Sequence, residues 1–451
     1  MKHQFLSLCA SAVSCALAVQ FSATAIAASN ERVLHSFAGP PGDGTEPLAG
    51  LIDVNGVLYG TTIYGGASTI CGSTSCGTVF SVDPTTGAEA VVYSFCSGQN
   101  CTDGWEPSAG LIDVKGTLYG TTINGGANRS KKCSFGGMDS CGTAFSLNPT
   151  TGAETVQHSF TSYRKDGSKP VAALIDLNGT LYGTTSSGGS YIKNCGYGPN
   201  GYPLGCGTVF VIDPKTHAER VLHAFQDNGR DGYEPSAGLI EVNGVLYGTT
   251  LTGGRNRGCD PIEGNGCGTA FSVDPTTGAE KVLYSFCSQK KCADGAWPLA
   301  GLINVNGTLY GTTWYGGTNS NSNFCGDDGG GVVGCGTVFS LNPTTGEETV
   351  LYSFCSQRKC ADGALPKAGL IDVKGTLYGT TGLGGAYRGG TVFALDPSTG
   401  KETVAYSFCS RKNCTDGWLP SAALIDVKGT LYGTTAGGGA SEVGTVFAVT
   451  P

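Results

Sequence analysis

Residues 111–122 read LIDVKGTLYGTT, and residues 142–160 read GTAFSLNPTTGAETVQHSF. These two phrases come round seven times, about every sixty residues. The LYGTT tyrosine falls at Tyr59, Tyr119, Tyr182, Tyr247, Tyr310, Tyr378 and Tyr432. The phenylalanine of GT(V/A)F follows at Phe80, Phe145, Phe210, Phe271, Phe339, Phe393 and Phe447. Self-similarity at this period marks a propeller, a solenoid or an array, so it sets the architecture before local propensity does.

Each copy holds four apolar runs of strand length. In the second copy they are 109–114, 117–122, 142–147 and 154–160. Runs one and two are joined by tight turns such as Asn55-Gly56 and Lys115-Gly116; Asn-Gly is the strongest short hairpin signal. Runs three and four are joined by Asp83-Pro84-Thr85-Thr86-Gly87 and its relatives. His217 stands where the other copies have that glycine, which predicts a side chain forced to positive φ. Longer loops connect run two to three and run four to the next copy. Two tight turns on one side and two long loops on the other define a four-stranded antiparallel blade. In EKVLYSF, residues 280–286, alternation predicts Val282, Tyr284 and Phe286 on one face of the outer strand.

The ends decide between ring and rod. Residues 31–37, ERVLHSF, read as a fourth strand, and residues 444–449, GTVFAV, as a third strand. The expected fold is therefore an all-β, seven-bladed propeller over residues 28–451, with strand one innermost. The N-terminal strand would pair antiparallel with 444–449 and complete the last blade, leaving no long unpaired edge. A solenoid would carry polar caps and would not need complementary ends.

Residues 1–27 read as a secretory signal, with Lys2 and His3, an apolar run over 5–21 and Ala25-Ile26-Ala27 at the cleavage position. The expected location is secreted or periplasmic, with no membrane span after cleavage. The chain carries −8 at neutral pH, and loss of Lys2 makes the balance more negative still. Nucleic acid needs a basic surface and is excluded as an expected partner.

The cysteines beyond residue 27 sort into near-neighbour pairs: Cys71/Cys76, Cys96/Cys101, Cys133/Cys141, Cys195/Cys206, Cys259/Cys267, Cys287/Cys292, Cys325/Cys335, Cys355/Cys360 and Cys409/Cys414. Equivalent loops lack both members and never one, as disulfides in an oxidising compartment require. Zinc would need histidines or a second cysteine pair converging on each pair, and the loops offer neither. Disulfides are expected, and no metal or cofactor. Their effect should be local, stiffening long loops that have no core of their own.

LIDVNGVLYGTT at 51–62 and GTVFSLNPTTGEETVLYSF at 336–354 resemble the GloVer tandem repeat of exported bacterial proteins. The likeness spans essentially the whole mature chain and implies a secreted or surface repeat protein. LYGTT-x-x-GG is also similar to the aromatic strand and double glycine of kelch blades. Neither resemblance brings catalytic residues with it.

Long loops on a rigid scaffold are where binding resides, and all of them are expected on one face. Only 8 residues separate Thr381 from Gly390 and Thr435 from Gly444, against 22 between Thr313 and Gly336. Blades six and seven should therefore sit under an open stretch of rim. Trp105, Tyr233, Trp297 and Trp418 adjoin the proline of D-G-x-x-P, while Tyr64, Trp314 and Tyr315 precede the double glycine. Exposed, these rings would bind a sugar face or a protein partner; the alternative is that they plug gaps between blades.

The aspartate of D-G recurs as Asp43, Asp103, Asp166, Asp231, Asp294, Asp362 and Asp416, which points to a turn-forming carboxylate. Asp327 and Asp328 belong to one blade alone. His35, His158 and His223 hold the place of Tyr93, Tyr284, Tyr352 and Tyr406 and read as strand packing residues, so no loop offers a base for a Ser-His-Asp triad. Loop carboxylates such as Glu46, Glu106, Glu234 and Glu263 leave a polysaccharide-acting enzyme as one alternative, and a structural surface protein without a defined ligand as another. The leading expectation is a non-catalytic propeller that binds a glycan or an extracellular protein on its loop face.

Overall fold

A computed structural model describes residues 30–135, 138–161, 166–190, 195, 204–256, 259, 266–321, 323–326, 332 and 334–451. The signal read at 1–27, together with Glu263, Asp327 and Asp328, lies outside the described residues. Each repeat folds into a four-stranded antiparallel sheet, and there are seven. Blade 1 is Ile52–Val54, Val57–Thr62, Thr78–Val82 and Glu89–Ser94, paired in that order. Blade 7 takes Ile425–Val427, Thr430–Thr435 and Thr445–Thr450, then receives Asn30–Ser36 as its outer strand. Glu31 faces Val449 and Ser36 faces Thr445 in this closing pair. The ring is closed as the two ends of the sequence predict.

Three devices recur around the circle, the first and third holding blade to blade and the second packing each blade within itself. The first threonine of LYGTT leaves its own sheet and donates to a carbonyl at the entry to the next innermost strand. Thr61 bonds Ala109 at 3.0 Å, and Thr434 bonds Ala49 at 3.2 Å, joining the seventh blade to the first. This explains why the innermost strand of blade 2 is only Ile112–Val114 rather than the expected 109–114. Ala109 accepts from a neighbouring blade instead of continuing the ladder.

The glycine of LYGTT is the second device. A Cβ at Gly60 would lie 2.6 Å from Phe80 Cζ and 2.8 Å from Leu51 Cδ2, so the phenylalanine of GT(V/A)F lies directly on bare backbone. Third, the phenylalanine that ends each outer strand packs edge-on to that ring in the next blade. Phe95 meets Phe145 at 5.0 Å, and Phe37, directly after the closing strand, meets Phe80 at 5.1 Å. All four side chains are fully buried. Burial of one phenylalanine contributes roughly 1.5–3 kcal/mol, with further gain from the edge-to-face geometry.

The turn chemistry is as read. Asn55 and Gly56 both have positive φ, 54° and 84°, the mirror-image turn that matches strand twist. His217 is held at φ 60°. Asp83 Oδ1 accepts from the Thr85 and Thr86 amides at 2.7 and 3.0 Å. The expected alternation along 280–286 is corrected. Ala270 pairs with Tyr284 and Phe271 with Val282, so Leu283 is an extra, bulged residue. One inserted residue shifts the phase, placing Val282 and Tyr284 on opposite faces. Described outer strands of the other blades bulge at the same place.

Candidate functional site

On the loop face, the phrase D-G-x-x-P runs antiparallel to the two residues after LYGTT. Trp105 and Asn124 exchange backbone hydrogen bonds at 3.0 and 3.2 Å, and Ile123 donates to Glu106 at 3.1 Å. The residue before each proline is left-handed in all seven blades: Glu46, Glu106, Lys169, Glu234, Trp297, Leu365 and Leu419, with φ of 54–59°. A non-glycine residue rarely adopts this conformation. It is held from both sides, since Glu106 also donates its amide to Cys76 of the preceding blade at 3.0 Å.

These seven positions divide into two arcs. The charged arc runs through blades 1 to 4. Glu106 accepts from Asn124 Nδ2 at 2.6 Å, and Glu234 accepts from Thr252 Oγ1 at 3.2 Å. Burial raises the Glu106 carboxyl above its usual range and lowers the Lys169 ammonium, which the charges of Glu234 and Glu106 partly restore. Tyr64 borders this arc, half-buried, its hydroxyl pushed up by burial and by Glu106 and Glu46.

The apolar arc runs through blades 5 to 7. Trp297, Trp314 and Tyr315 form one cluster, with ring centroids 5.2 Å apart for Trp297–Tyr315 and 4.8 Å for Trp314–Tyr315. Lys367 Nζ sits 4.6 Å above the Trp314 ring, a cation–π contact at the blade 5–6 boundary. Burial holds that ammonium below its usual range. Next around the ring, Gly382 lies between the Leu365 carbonyl and Leu419 Cδ1. Beyond them stands Trp418, whose indole covers Gly437.

The aromatic candidates therefore divide by exposure. Trp105 and Tyr233 are buried at 6% and 3% exposure, Tyr315 is buried within its cluster, and Tyr64, Trp297 and Trp314 are half-buried. Trp418 is 41% exposed. Trp105, Tyr233 and Trp418 occupy equivalent positions, so the loop overhead makes the difference. Trp105 packs with Cys71–Cys76 from the long loop of blade 1, and Tyr233 with Cys195–Cys206 from that of blade 3. Blade 6 has only eight residues there and leaves Trp418 uncovered.

That same short loop carries Tyr387, 55% exposed, which the repeat-based reading passed over. Leu419 donates to the Gly389 carbonyl at 2.9 Å, so the segments bearing Trp418 and Tyr387 are joined by backbone. Arg388, beside Tyr387, places its guanidinium 5.6 Å from the Phe324 ring of blade 5. Among the described residues the large exposed apolar side chains are Ile70, Tyr387 and Trp418, two of them in this sector.

The nine expected disulfides are all formed: Cys71–Cys76, Cys96–Cys101, Cys133–Cys141, Cys195–Cys206, Cys259–Cys267, Cys287–Cys292, Cys325–Cys335, Cys355–Cys360 and Cys409–Cys414. Disulfides in this number belong to a protein of an oxidising, extracellular or periplasmic environment.

Two expectations about them are corrected. The sequence predicts stapled loops without a core of their own, with the main effect of each bridge local. Instead Cys76, Cys141, Cys206, Cys267 and Cys335 are fully buried. Cys141, with Cys133, packs in one apolar cluster with Ala144, Phe160 and Phe210. Its carbonyl accepts from the Lys169 amide of the next blade at 2.9 Å, as that of Cys76 does from Glu106. The reason is position: these cysteines lie directly before the third strand, where the chain re-enters the sheet. Each bridge therefore anchors its loop to the blade core and to the neighbouring blade.

The second correction concerns convergence. Two cysteine pairs do approach two others, Cys71–Cys76 with Cys96–Cys101 and Cys259–Cys267 with Cys287–Cys292, sulfurs within 4.8 Å. They belong to adjacent loops about twenty residues apart in the chain, a proximity that spacing within a pair does not reveal. Every one of these sulfurs is spent in a disulfide, so no thiolate remains for a metal.

The D-G aspartates do bond backbone amides, as expected of a turn: Asp43 accepts from Ala38 at 2.8 Å, and Asp294 from Ser288 at 2.7 Å. Each also takes one bond from the outer strand. In four blades the donor is tyrosine, as for Tyr284 to Asp294 at 2.8 Å. In three it is His35, His158 or His223, at 3.1, 3.3 and 3.3 Å. These histidines are thus more than packing residues. A glutamate from the next blade faces each aspartate. Burial, then the Asp362 charge, raises Glu402 to about 8, and burial with Asp294 does the same for Glu348.

A family model for the Gloeobacter/Verrucomicrobia repeat matches residues 19–133, 72–325 and 326–451. The chain belongs to this family. No curated protein matches it. Among solved structures, an oligogalacturonate lyase in complex with manganese is 10% identical, covers 94% of this chain and 96% of its own, and has a TM-score of 0.47. A putative 6-phosphogluconolactonase from Bacteroides uniformis is 13% identical over 80% of this chain and 85% of its own, at 0.45. A nidogen/laminin complex matches at 15% identity over 73% and 89%, at 0.38. Likeness this remote says nothing of activity. Among its described residues no helix is long and apolar enough to cross a membrane.

Proposed function

We propose that this repeat protein is an exported, non-catalytic propeller that binds carbohydrate on its loop face, in the sector of blades 5 to 7. The observation that carries the reading is that the two exposed aromatics, Trp418 and Tyr387, stand on segments joined by backbone where the loop of blade 6 is short, in the arc that also holds the half-buried Trp297 and Trp314. A sugar ring presents an apolar C–H face that stacks on indole or phenol, and a hydroxyl edge that seeks polar groups. Lys367 and Arg388 stand beside the platform, and the Glu106–Lys169–Glu234 arc lies across the face. The left-handed backbone and the disulfides keep the platform rigid, which limits the entropy lost on binding.

The carboxylates support binding over catalysis. Glu106 and Glu234 are each engaged with a neighbouring side chain, and the rim Asp–Glu pairs recur in every blade. A glycan array with the mature protein, followed by product analysis on each hit, tests the proposal. Retained oligosaccharide without cleavage is the expected result. Cleaved product would replace it with the enzyme reading, and an array without hits would remove carbohydrate as the ligand.

A further inference from the structure

The outer strand and the loop after it vary together. Where the strand ends in Tyr93, Tyr284, Tyr352 or Tyr406, the loop carries a bonded cysteine pair three residues on: Cys96–Cys101, Cys287–Cys292, Cys355–Cys360 or Cys409–Cys414. Where the strand ends in His35, His158 or His223, that loop has no cysteine. The histidine blades lack a staple and gain an imidazole at one and the same place.

We propose that the three histidine blades bind zinc there, each ion held by the histidine, the D-G aspartate and a glutamate from the next blade. In His35, Asp43 and Glu89, and again in His158, Asp166 and Glu219, one ligand atom of each residue lies within 4.8 Å of the other two. His223 with Asp231 repeats the arrangement, and Glu280 is the neighbouring-blade carboxylate. Zinc with bonds of about 2.0–2.1 Å in a tetrahedron sets its ligand atoms roughly 3.3 Å apart. The Nε2–Oδ2 separations are 3.1, 3.3 and 3.3 Å. The ion takes the place of the proton in that hydrogen bond.

A second observation points to a cation. Asp231 is only 7% exposed, yet its Oδ1 has no hydrogen-bond partner. Oε1 of Glu89, Glu219 and Glu280 is likewise buried and without one. Unpaired buried carboxylate oxygen is costly and is relieved by a cation. Glu31, Glu154, Glu348 and Glu402 share this orphaned oxygen beside tyrosine blades, as does Oδ1 of Asp103, so the open carboxylate recurs around the rim and the imidazole is what the three histidine blades add. There the phenol supplies a proton to the aspartate but no ligand lone pair aimed at a cation, so three ligands never assemble. One nitrogen and two carboxylates suit zinc, which is also inert to the oxidants that maintain the nine disulfides. The metal would then serve where the disulfide is missing. At His35 it would also fasten the closing strand of blade 7 to blade 1.

The test uses the full mature protein, equilibrated with zinc alone and gel-filtered, with metal measured by plasma emission and stability by thermal melting. Three zinc ions per chain are expected, removable by EDTA with a fall in melting temperature. The triple variant His35→Tyr, His158→Tyr, His223→Tyr installs the residue that the other four blades already tolerate, so it should fold. It should retain no zinc and show no EDTA response, whereas His217→Ala, on the opposite turns, should keep all three ions. Less than one zinc per wild-type chain would overturn the proposal. So would a triple variant that retains zinc as the wild type does.

Discussion

Trp105 and Trp418 stand at the same point of the same repeat, yet one is 6% exposed and the other 41%. Their own strands do not differ; the loop of the preceding blade does. Over Trp105 it is long and closed by Cys71–Cys76, and over Trp418 it is eight residues without cysteine. A repeat can therefore supply one side chain as core or as binding surface without altering the blade beneath. Loop length is the switch, and disulfides fix it in position.

Substitution to alanine should separate the two tryptophans most strongly. Trp105→Ala leaves a cavity beneath a stapled loop and is expected to cost about 3–5 kcal/mol of stability. Trp418→Ala should stay within about 0.5 kcal/mol, as exposed positions do. Chemical denaturation of both variants checks this, and equal losses would break the comparison. The reverse order is expected for ligand. Trp418→Ala should weaken oligosaccharide binding by about 2 kcal/mol, near thirtyfold, measurable by fluorescence titration.

Uncovering Trp105 sharpens the contrast from the other side. Replacing Cys71 and Cys76 together by serine frees a short loop, at a cost of about 2 kcal/mol in the chain-entropy model. Acrylamide should then quench Trp105 fluorescence more efficiently, with sugar affinity unchanged. The smallest effect concerns the rim below both regions. Glu348 and Glu402 hold their protons up to about 8 in the folded chain, against an ordinary 4.5. The folded state thus binds more protons between those values, so the stability these two groups contribute is fully present below 4.5 and is lost as pH rises through about 8. A Glu348→Gln, Glu402→Gln double variant should show a flatter melting-temperature profile from about pH 5 to 8 and bind sugar normally.

The ring was readable because the repeat preserves phase. ERVLHSF and GTVFAV are consecutive strands of one blade wherever they occur together, so their separation to the two ends implied closure. The nine disulfides were readable for a similar reason, since paired presence and absence survives without coordinates. Other features depend on which elements meet. The role of Thr61 needs the neighbouring blade, and so does the anchoring of Cys141 beneath Lys169. The bulge at Leu283 leaves no mark in a run of apolar residues. Tyr387 escaped because it recurs in no other copy, although the shortness of its loop was visible. The link between histidine and missing cysteine also lay in the sequence, but its meaning required seeing Asp43 beside His35 and Glu89.

The claim that the uncovered sector is the binding surface is tested most directly by calorimetric titration of the best oligosaccharide from the array. Wild type would be compared with a Trp418→Ala, Tyr387→Ala double variant and with a chain whose residues 382–389 are replaced by the cysteine-closed loop of blade 1, residues 63–76. Loss of measurable heat in both, with melting temperatures near that of wild type, is the expected result. Wild-type affinity in either variant would contradict the account.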